Sequence, residues 1–118
     1  MKVVYIAHPI GGDVANNLKK VIGIIHELNT TGNDIVPFAH YYVDCHALDD
    51  DDPVQRQRGI DNDTELLRRG FIDEMWLYGK VISKGMQAEI ELAQSLGIKV
   101  VPKTTETAYY FNKMYDQS

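Results

Sequence analysis

Glu89 stands where an amphipathic helix has little use for a charge. In the segment Ser83-Lys84-Gly85-Met86-Gln87-Ala88-Glu89-Ile90-Glu91-Leu92-Ala93, a helix of about 3.6 residues per turn aligns Met86, Ile90, Ala93 and Leu96 as an apolar stripe. Glu89 falls three residues after Met86 and four before Ala93, so it borders the buried face. Glu91 lies about 200° round the helix axis, in the company of Gln87, Gln94 and Ser95, and reads as an ordinary solvated carboxylate. A carboxylate shielded on one side by apolar residues is less solvated and a better nucleophile, provided hydrogen bonds fix its orientation. The alternative is a Glu whose stem packs while its head reaches water. A second acid, Asp63, precedes Leu66 and Leu67 by three and four residues and on a continuous helix shares their inward face, whereas Asp61 sits with Glu65 on another face. An inward acid suits general acid chemistry; the competing reading has Asp61 or Asp63 capping a helix that restarts after Gly59.

The elements that must position these acids follow from apolar patterning. Short β-branched runs alternate with amphipathic stretches, the signature of βαβ units and a parallel sheet. Val3-Val4-Tyr5-Ile6-Ala7 is the first strand, and after the turn segment His8 to Asp13 a helix carries Val14, Leu18, Val21, Ile22, Ile25 and Leu28 at helical spacing. Ile35-Val36-Pro37 makes a second strand, and Phe38 to Asp52 reads as a long connection rich in Tyr and His, of the kind that is usually functional or mobile. Asp52 as N-cap, Pro53 as first helical residue and Gln55 closing a capping box begin a helix to about Arg69, bent near Gly59, with Ile60, Leu66 and Leu67 inward. Glu74 to Tyr78 is a third strand whose apolar character suits cover on both faces. The Ser83 to Leu96 helix follows, then the strand Lys99-Val100-Val101, and Thr104 or Thr105 caps a last helix bearing Tyr109, Tyr110, Phe111 and Tyr115. The expected fold is α/β and Rossmann-like (flavodoxin-like): one domain over residues 1–118, a parallel sheet of four to five strands, helices on both faces. Such sheets bind ligands beyond the carboxyl ends of their strands near a switch point. The loops Tyr5 to Gly12 and Gly79 to Gly85 can reach one such crevice.

Composition narrows the function. A chain of 118 residues with 44% hydrophobic and 25% charged content has the balance of a single soluble domain. No apolar run approaches the roughly 20 residues that span a bilayer, and Met1 to His8 lacks the form of a signal peptide, so no membrane partner and a cytoplasmic location are expected. The lone Cys45 permits no internal disulfide and fits a reducing compartment. His40 and the run Asp44-Cys45-His46 suggest metal, but consecutive residues cannot all converge on one ion from a regular element, and no metal is expected. A net charge of -5 argues against a binder of nucleic acid polymers. The run Asp49 to Asp52 reads as a solvated loop and helix start, with Arg56, Arg58, Arg68 and Arg69 following it.

The spacing Ser83-x-Gly85-x-x-x-Glu89-Ile90, followed by Ala93 and Gly97-Ile98-Lys99-Val100, resembles the nucleoside 2-deoxyribosyltransferase superfamily, which includes deoxynucleoside 5'-monophosphate N-glycosidases. The opening Val4-Tyr5-Ile6-Ala7-His8-Pro9-Ile10 looks like that family's first strand and loop, and with the match at Asp63 the resemblance covers most of the chain. It implies cleavage or transfer of the N-glycosidic bond of a nucleoside or nucleotide, without cofactor or metal, hydrolysis being preferred slightly over transfer. In that scheme Glu89 attacks the anomeric carbon and forms a glycosyl-enzyme intermediate. Asp63 assists the leaving base, and Tyr5 orients the nucleophile, or is simply a core tyrosine. Ser83 caps its helix or, with Gly85, Met86 and the helix amides, holds a phosphate or sugar hydroxyl. Where the transferases carry Asp at the Ser83 position, the nucleotide hydrolases tend to carry Ser.

His8, Pro9, Ile10 and Gly11 would line the substrate. The monophosphate hydrolases, however, resemble Tyr-x-x-Gly-Ser-Ile-Arg-Gly-Gly here, whereas this loop is one residue shorter and lacks the Arg, leaving Arg56, Arg58 or Lys84 to substitute. His8 either contacts the base or bonds to backbone. The segment carrying His40, Tyr41, Tyr42 and His46 is expected to lie over the pocket, with Tyr41 and Tyr42 stacking on the base. The aromatic C-terminal helix, and the family's habit, suggest a homo-oligomer. The alternative from another class is a non-catalytic nucleotide-binding or sequestering protein. A redox flavoprotein is disfavoured because the first loop lacks a Ser/Thr-rich phosphate cradle.

Overall fold

A computed structural model describes residues 1–115 of the chain. In chain order these are β1 (Lys2–Ala7), α1 (Val14–Thr30), β2 (Ile35–Phe38), α2 (Tyr41–Ala47), α3 (Pro53–Arg68), β3 (Glu74–Leu77), α4 (Lys84–Ser95), β4 (Lys99–Pro102) and α5 (Thr105–Tyr115). The strands form one four-stranded sheet in the order β2-β1-β3-β4, every pair parallel. The order reverses direction between β1 and β3, which makes their carboxyl ends the switch point. Right-handed crossovers put α1 on one face of the sheet and α3 and α4 on the other, and α3 indeed packs on both α2 and α4.

Register decides what each face carries. Tyr5 lies opposite Phe38 and Met75, and Ala7 opposite Leu77, so these side chains share a face. Tyr5, Ala7, Met75 and Leu77 are fully buried there, against Leu67 of α3 and Met86, Ile90 and Ala93 of α4. Val4 and Ile6, pointing the other way, are equally buried, which is why β1 reads as an unbroken apolar run. The third strand departs from the expectation of full cover. On its second face Glu74 pairs with Lys2 at 2.6 Å, Trp76 Nε1 donates to Glu74 at 3.0 Å, and the Lys103 ammonium stands 3.9 Å over the Trp76 ring. That half of the sheet is polar and partly open.

Helix α3 runs without interruption through Gly59, so the alternative of a helix restarting after it with Asp61 or Asp63 as cap fails. Gly59 faces α2 and its C-cap: a methyl group there would stand in ordinary van der Waals contact with Leu48 Cδ1 at 3.7 Å and Asp44 Cβ at 3.9 Å. Asp52 caps α3 through Oδ1, which accepts from Val54 N at 2.9 Å, and Pro53 follows as expected. Gln55 does not close the box on the Asp52 amide. Its Nε2 donates to Asp52 Oδ2 at 3.2 Å and its Oε1 accepts from Asp49 N at 2.8 Å.

The long connection from Phe38 to Asp52 is also corrected, since its middle, Tyr41–Ala47, is helix α2. Tyr41 explains the difference: its ring is buried in the core and its hydroxyl donates to Ile6 O at 2.5 Å, so tertiary contact overrides a weak local helical preference. Three residues expected to be inward, Ile22, Ile60 and Leu96, are exposed. Leu96 is the C-cap of α4, and Ile60 lies on a cavity wall. Thr104, not Thr105, caps α5, its Oγ1 accepting from Thr107 N at 3.0 Å.

Candidate functional site

The site grows from the carboxyl end of β1. Its pleat sends the Tyr5 ring into the core, between Phe38 and Tyr41, with ring centroids 6.4 and 5.9 Å away. On the same side, Ser83 sets the start of α4: its backbone is extended and its Oγ accepts from Met86 N at 3.2 Å. Counting from that cap, Met86, Ile90 and Ala93 face the sheet, and Glu89 comes alongside them. On α3, Asp63 sits one turn before Leu67, which is buried against the same core. β1, α3 and α4 meet at one atom. Tyr5 Oη is hydrogen-bonded to Asp63 Oδ2 at 3.0 Å and to Glu89 Oε2.

Burial dominates the electrostatics. It pushes the Glu89 carboxyl up to about 8, with the Asp63 charge adding to the rise and the Tyr5 hydrogen bond opposing it. Burial likewise pushes Asp63 up to about 6, against the pull of the Tyr5 hydrogen bond and of His40, while Asp44 adds to it. Tyr5 and Tyr41 are held well above the usual phenol range by burial first and by the charges of Glu89 and Asp63 next. Asp63 Oδ1 is sealed from water and has no hydrogen-bond partner among the described residues. Buried polar atoms left alone are rare, and this one adjoins a cavity.

That cavity, of about 500 Å³, opens beside the two acids, and Glu89 and Asp63 both line it. Of the other sequence-predicted residues, His8, Ile10, Gly11 and Tyr41 line it, as do Ser83, Gly85 and Met86. Tyr5 does not: it stands behind the acids with no exposed surface. Pro9 also lies off the wall, packed under Gly79, where a methyl group would meet Pro9 Cδ at 2.6 Å. His8 is buried, its Nδ1 is 2.6 Å from Pro9 O, and burial lowers its basicity, so the backbone-bonded alternative describes it. Arg56 and Lys84 reach the wall, whereas Arg58 is not among its residues and donates to Asn62 Oδ1 at 3.1 Å. Tyr42 is likewise absent from the wall and packs edge-on against His46 at 4.8 Å. Of the two tyrosines expected to stack on a ligand, only Tyr41 lines the cavity.

Sequence reasoning missed the wall that α2, α3 and the turn between them supply: Asp44 and Cys45, then Leu48 and Asp50 of the turn, then Gln55, Gly59 and Thr64. The signal was present on α3, where Arg56, Gly59, Ile60, Asp63, Thr64 and Leu67 recur at three- and four-residue spacing. A helix read as bent near Gly59, with Ile60, Leu66 and Leu67 inward, does not bring out that stripe. Ala88 and Leu92, flanking Glu89 on α4, complete the cavity. Cys45 is no nucleophile here, because burial and the nearby Asp50, Asp63 and Asp44 push its thiol up to about 11. Among the described residues no group of three His, Cys, Asp or Glu side chains is placed to hold a metal ion. No described helix is long and apolar enough to cross a membrane.

Comparison with known proteins yields no match among curated proteins and none among solved structures. The family model described as "Domain of unknown function (DUF7768)" matches residues 2–103, which takes in every strand and every residue named on the cavity wall. The chain belongs to that family.

Proposed function

We propose that the protein cleaves the N-glycosidic bond of a nucleoside or nucleotide, with Glu89 as the attacking carboxylate and Asp63 as the acid that assists the departing base. The observation that carries this reading is the joining of the two acids through one tyrosine hydroxyl on the wall of a cavity of about 500 Å³, within the size range of small-molecule sites. Glu89 ionised would form a bond to the anomeric carbon as the carbon–nitrogen bond breaks, and the base would leave with the proton from Asp63. Water then opens the glycosyl ester, with a second base as the alternative acceptor for transfer. The apolar contacts of Met86, Ile60 and Leu92 suit a ring or sugar face, while Arg56 and Lys84 supply the counter-charge that a phosphate would need. The reaction so written uses side chains alone. Association of copies through α5, where Tyr109 and Met114 are exposed, belongs to the same proposal; a monomer in sedimentation at micromolar concentration would remove it.

The test is base release from a panel of nucleosides and nucleoside monophosphates, followed by chromatography, with thermal-shift binding on the same panel. Release by the wild type that vanishes in Glu89→Gln, with ligand still bound, supports the reading. Binding with no release would replace it with a non-catalytic nucleotide-binding protein, and full activity in Glu89→Gln would refute the covalent step.

A further inference from the structure

We propose that Tyr5 is a proton relay, its buried hydroxyl passing a single proton between Glu89 and Asp63 so that the two acids can exchange roles without solvent. The use of the relay in catalysis rests on the reaction proposed above; the proton count behind it does not.

Tyr5 has fewer hydrogens than its neighbours require. A phenol has one hydrogen to donate, yet Tyr5 Oη lies within hydrogen-bond distance of Asp63 Oδ2 and of Glu89 Oε2. Were both carboxyls ionised, one hydrogen would serve two anionic oxygens, and the unserved one would face a hydroxyl lone pair in a buried setting. One added proton removes the conflict. One carboxyl then donates to Tyr5 Oη, and Tyr5 Oη donates to the other. Two such arrangements exist, and the geometry allows both.

Passage between them balances without a co-reactant. The proton on Glu89 Oε2 moves to Tyr5 Oη as the hydrogen of Tyr5 moves to Asp63 Oδ2. Two O–H bonds break, two form, and the single negative charge passes from Asp63 to Glu89. Tyr5 stays neutral throughout, because burial and the adjoining acids resist its ionisation. Tyr41 does not compete for the relay, since its hydroxyl donates to Ile6 O.

The surroundings bias the outcome. From α2, Tyr41, Asp44 and Cys45 face the pair, with His40 at that helix's start, and Arg56 of α3 and Lys84 of α4 share the cavity. Asp44 disfavours charge on Asp63, and Asp63 Oδ1 has no partner to stabilise one. At rest the proton lies on Glu89, whose carboxyl burial pushes up further, while His40 favours the charge on Asp63; the unpartnered Asp63 Oδ1 lowers the cost of carrying the proton across to Asp63. Moving the proton there leaves Glu89 ionised and held by the Tyr5 hydrogen, with the acid on the second carboxyl, which is the arrangement the attack requires.

The experiment is a ¹³C NMR titration of Asp and Glu side-chain carboxyls from pH 4 to 10 on the intact chain, with the two resonances assigned by Asp63→Asn and Glu89→Gln. The expected result is one shared proton between the steps near pH 6 and pH 8, with both resonances moving in both steps. In Tyr5→Phe each resonance should move in one step only. Should that variant fail to fold, Asp63→Asn answers instead by reducing Glu89 to a single step at lower pH. Two ionised carboxyls at pH 7 in the wild type, or two-step curves that persist in Tyr5→Phe, would overturn the relay. The titration needs no substrate, so a chain that releases no base can still share the proton, and a base-releasing chain can fail to.

Discussion

Replacing Glu89 by Gln should stabilise the protein, and the gain should grow with pH. In the folded chain burial keeps this carboxyl protonated to about pH 8, whereas the free side chain releases its proton near 4.5. Between those values the folded state holds a proton that the unfolded state has lost, so stability present below about pH 4.5 is lost progressively as pH rises to about 8. The interval from 4.5 to about 8, at about 1.4 kcal/mol per pH unit, bounds the loss at roughly 5 kcal/mol. Sharing of the proton with Asp63 and the open side of the cavity reduce that to about 2–4 kcal/mol. Gln keeps the size and hydrogen bonds of the protonated acid and has no charge to desolvate. At about 3–5 °C per kcal/mol for a domain of this size, Glu89→Gln should melt about 10 °C above wild type at pH 9 and level with it at pH 5. Circular dichroism melts from pH 5 to 9 would measure this, with Glu91→Gln, on the exposed face, as the control. A Tm difference that does not change with pH, or a lower Tm for Glu89→Gln at pH 9, would refute the desolvation argument.

Three further outcomes are expected. Asp63→Asn should depress turnover by about 10²-fold, while Asp61→Asn, at an exposed residue that accepts from Gln57 Nε2 at 2.9 Å, should leave it unchanged in the same base-release assay. Tyr41→Phe removes the hydroxyl that donates to Ile6 O and should cost about 1–3 kcal/mol in urea unfolding; an unchanged midpoint would mean that the bond contributes nothing. Gly79→Ala forces a side chain onto a backbone at φ 97° and a Cβ to 2.6 Å from Pro9 Cδ, so a loss of about 1–3 kcal/mol is expected, with chemical-shift changes reaching His8.

What the sequence settled by itself is what depends on local period. The alternation of β-branched runs and helical stripes gave the parallel α/β sheet, because a strand buried on both faces must be apolar throughout and a crossover helix apolar along one side. The same period put Glu89 and Asp63 on inward faces while leaving Asp61 and Glu91 in water. It also held two alternatives open for Tyr5, core residue or site residue, which the tertiary structure resolves as both: the ring packs in the core and only the hydroxyl reaches the acids. That meeting joins residues 58 and 84 positions apart, a distance no local pattern spans. Helix α2 was hidden for a related reason, since Tyr41 is held helical by a core pocket and a carbonyl of β1 that a window around it does not contain. Gly59 reads locally as a breaker, yet the helix continues through it, because the cost of a helical glycine is only about 1 kcal/mol and α3 as a whole is held by packing on α2 and α4. The unpartnered oxygen of Asp63 and the single hydrogen between two carboxyls exist only once three separate elements share one volume, and only the tertiary structure could decide them.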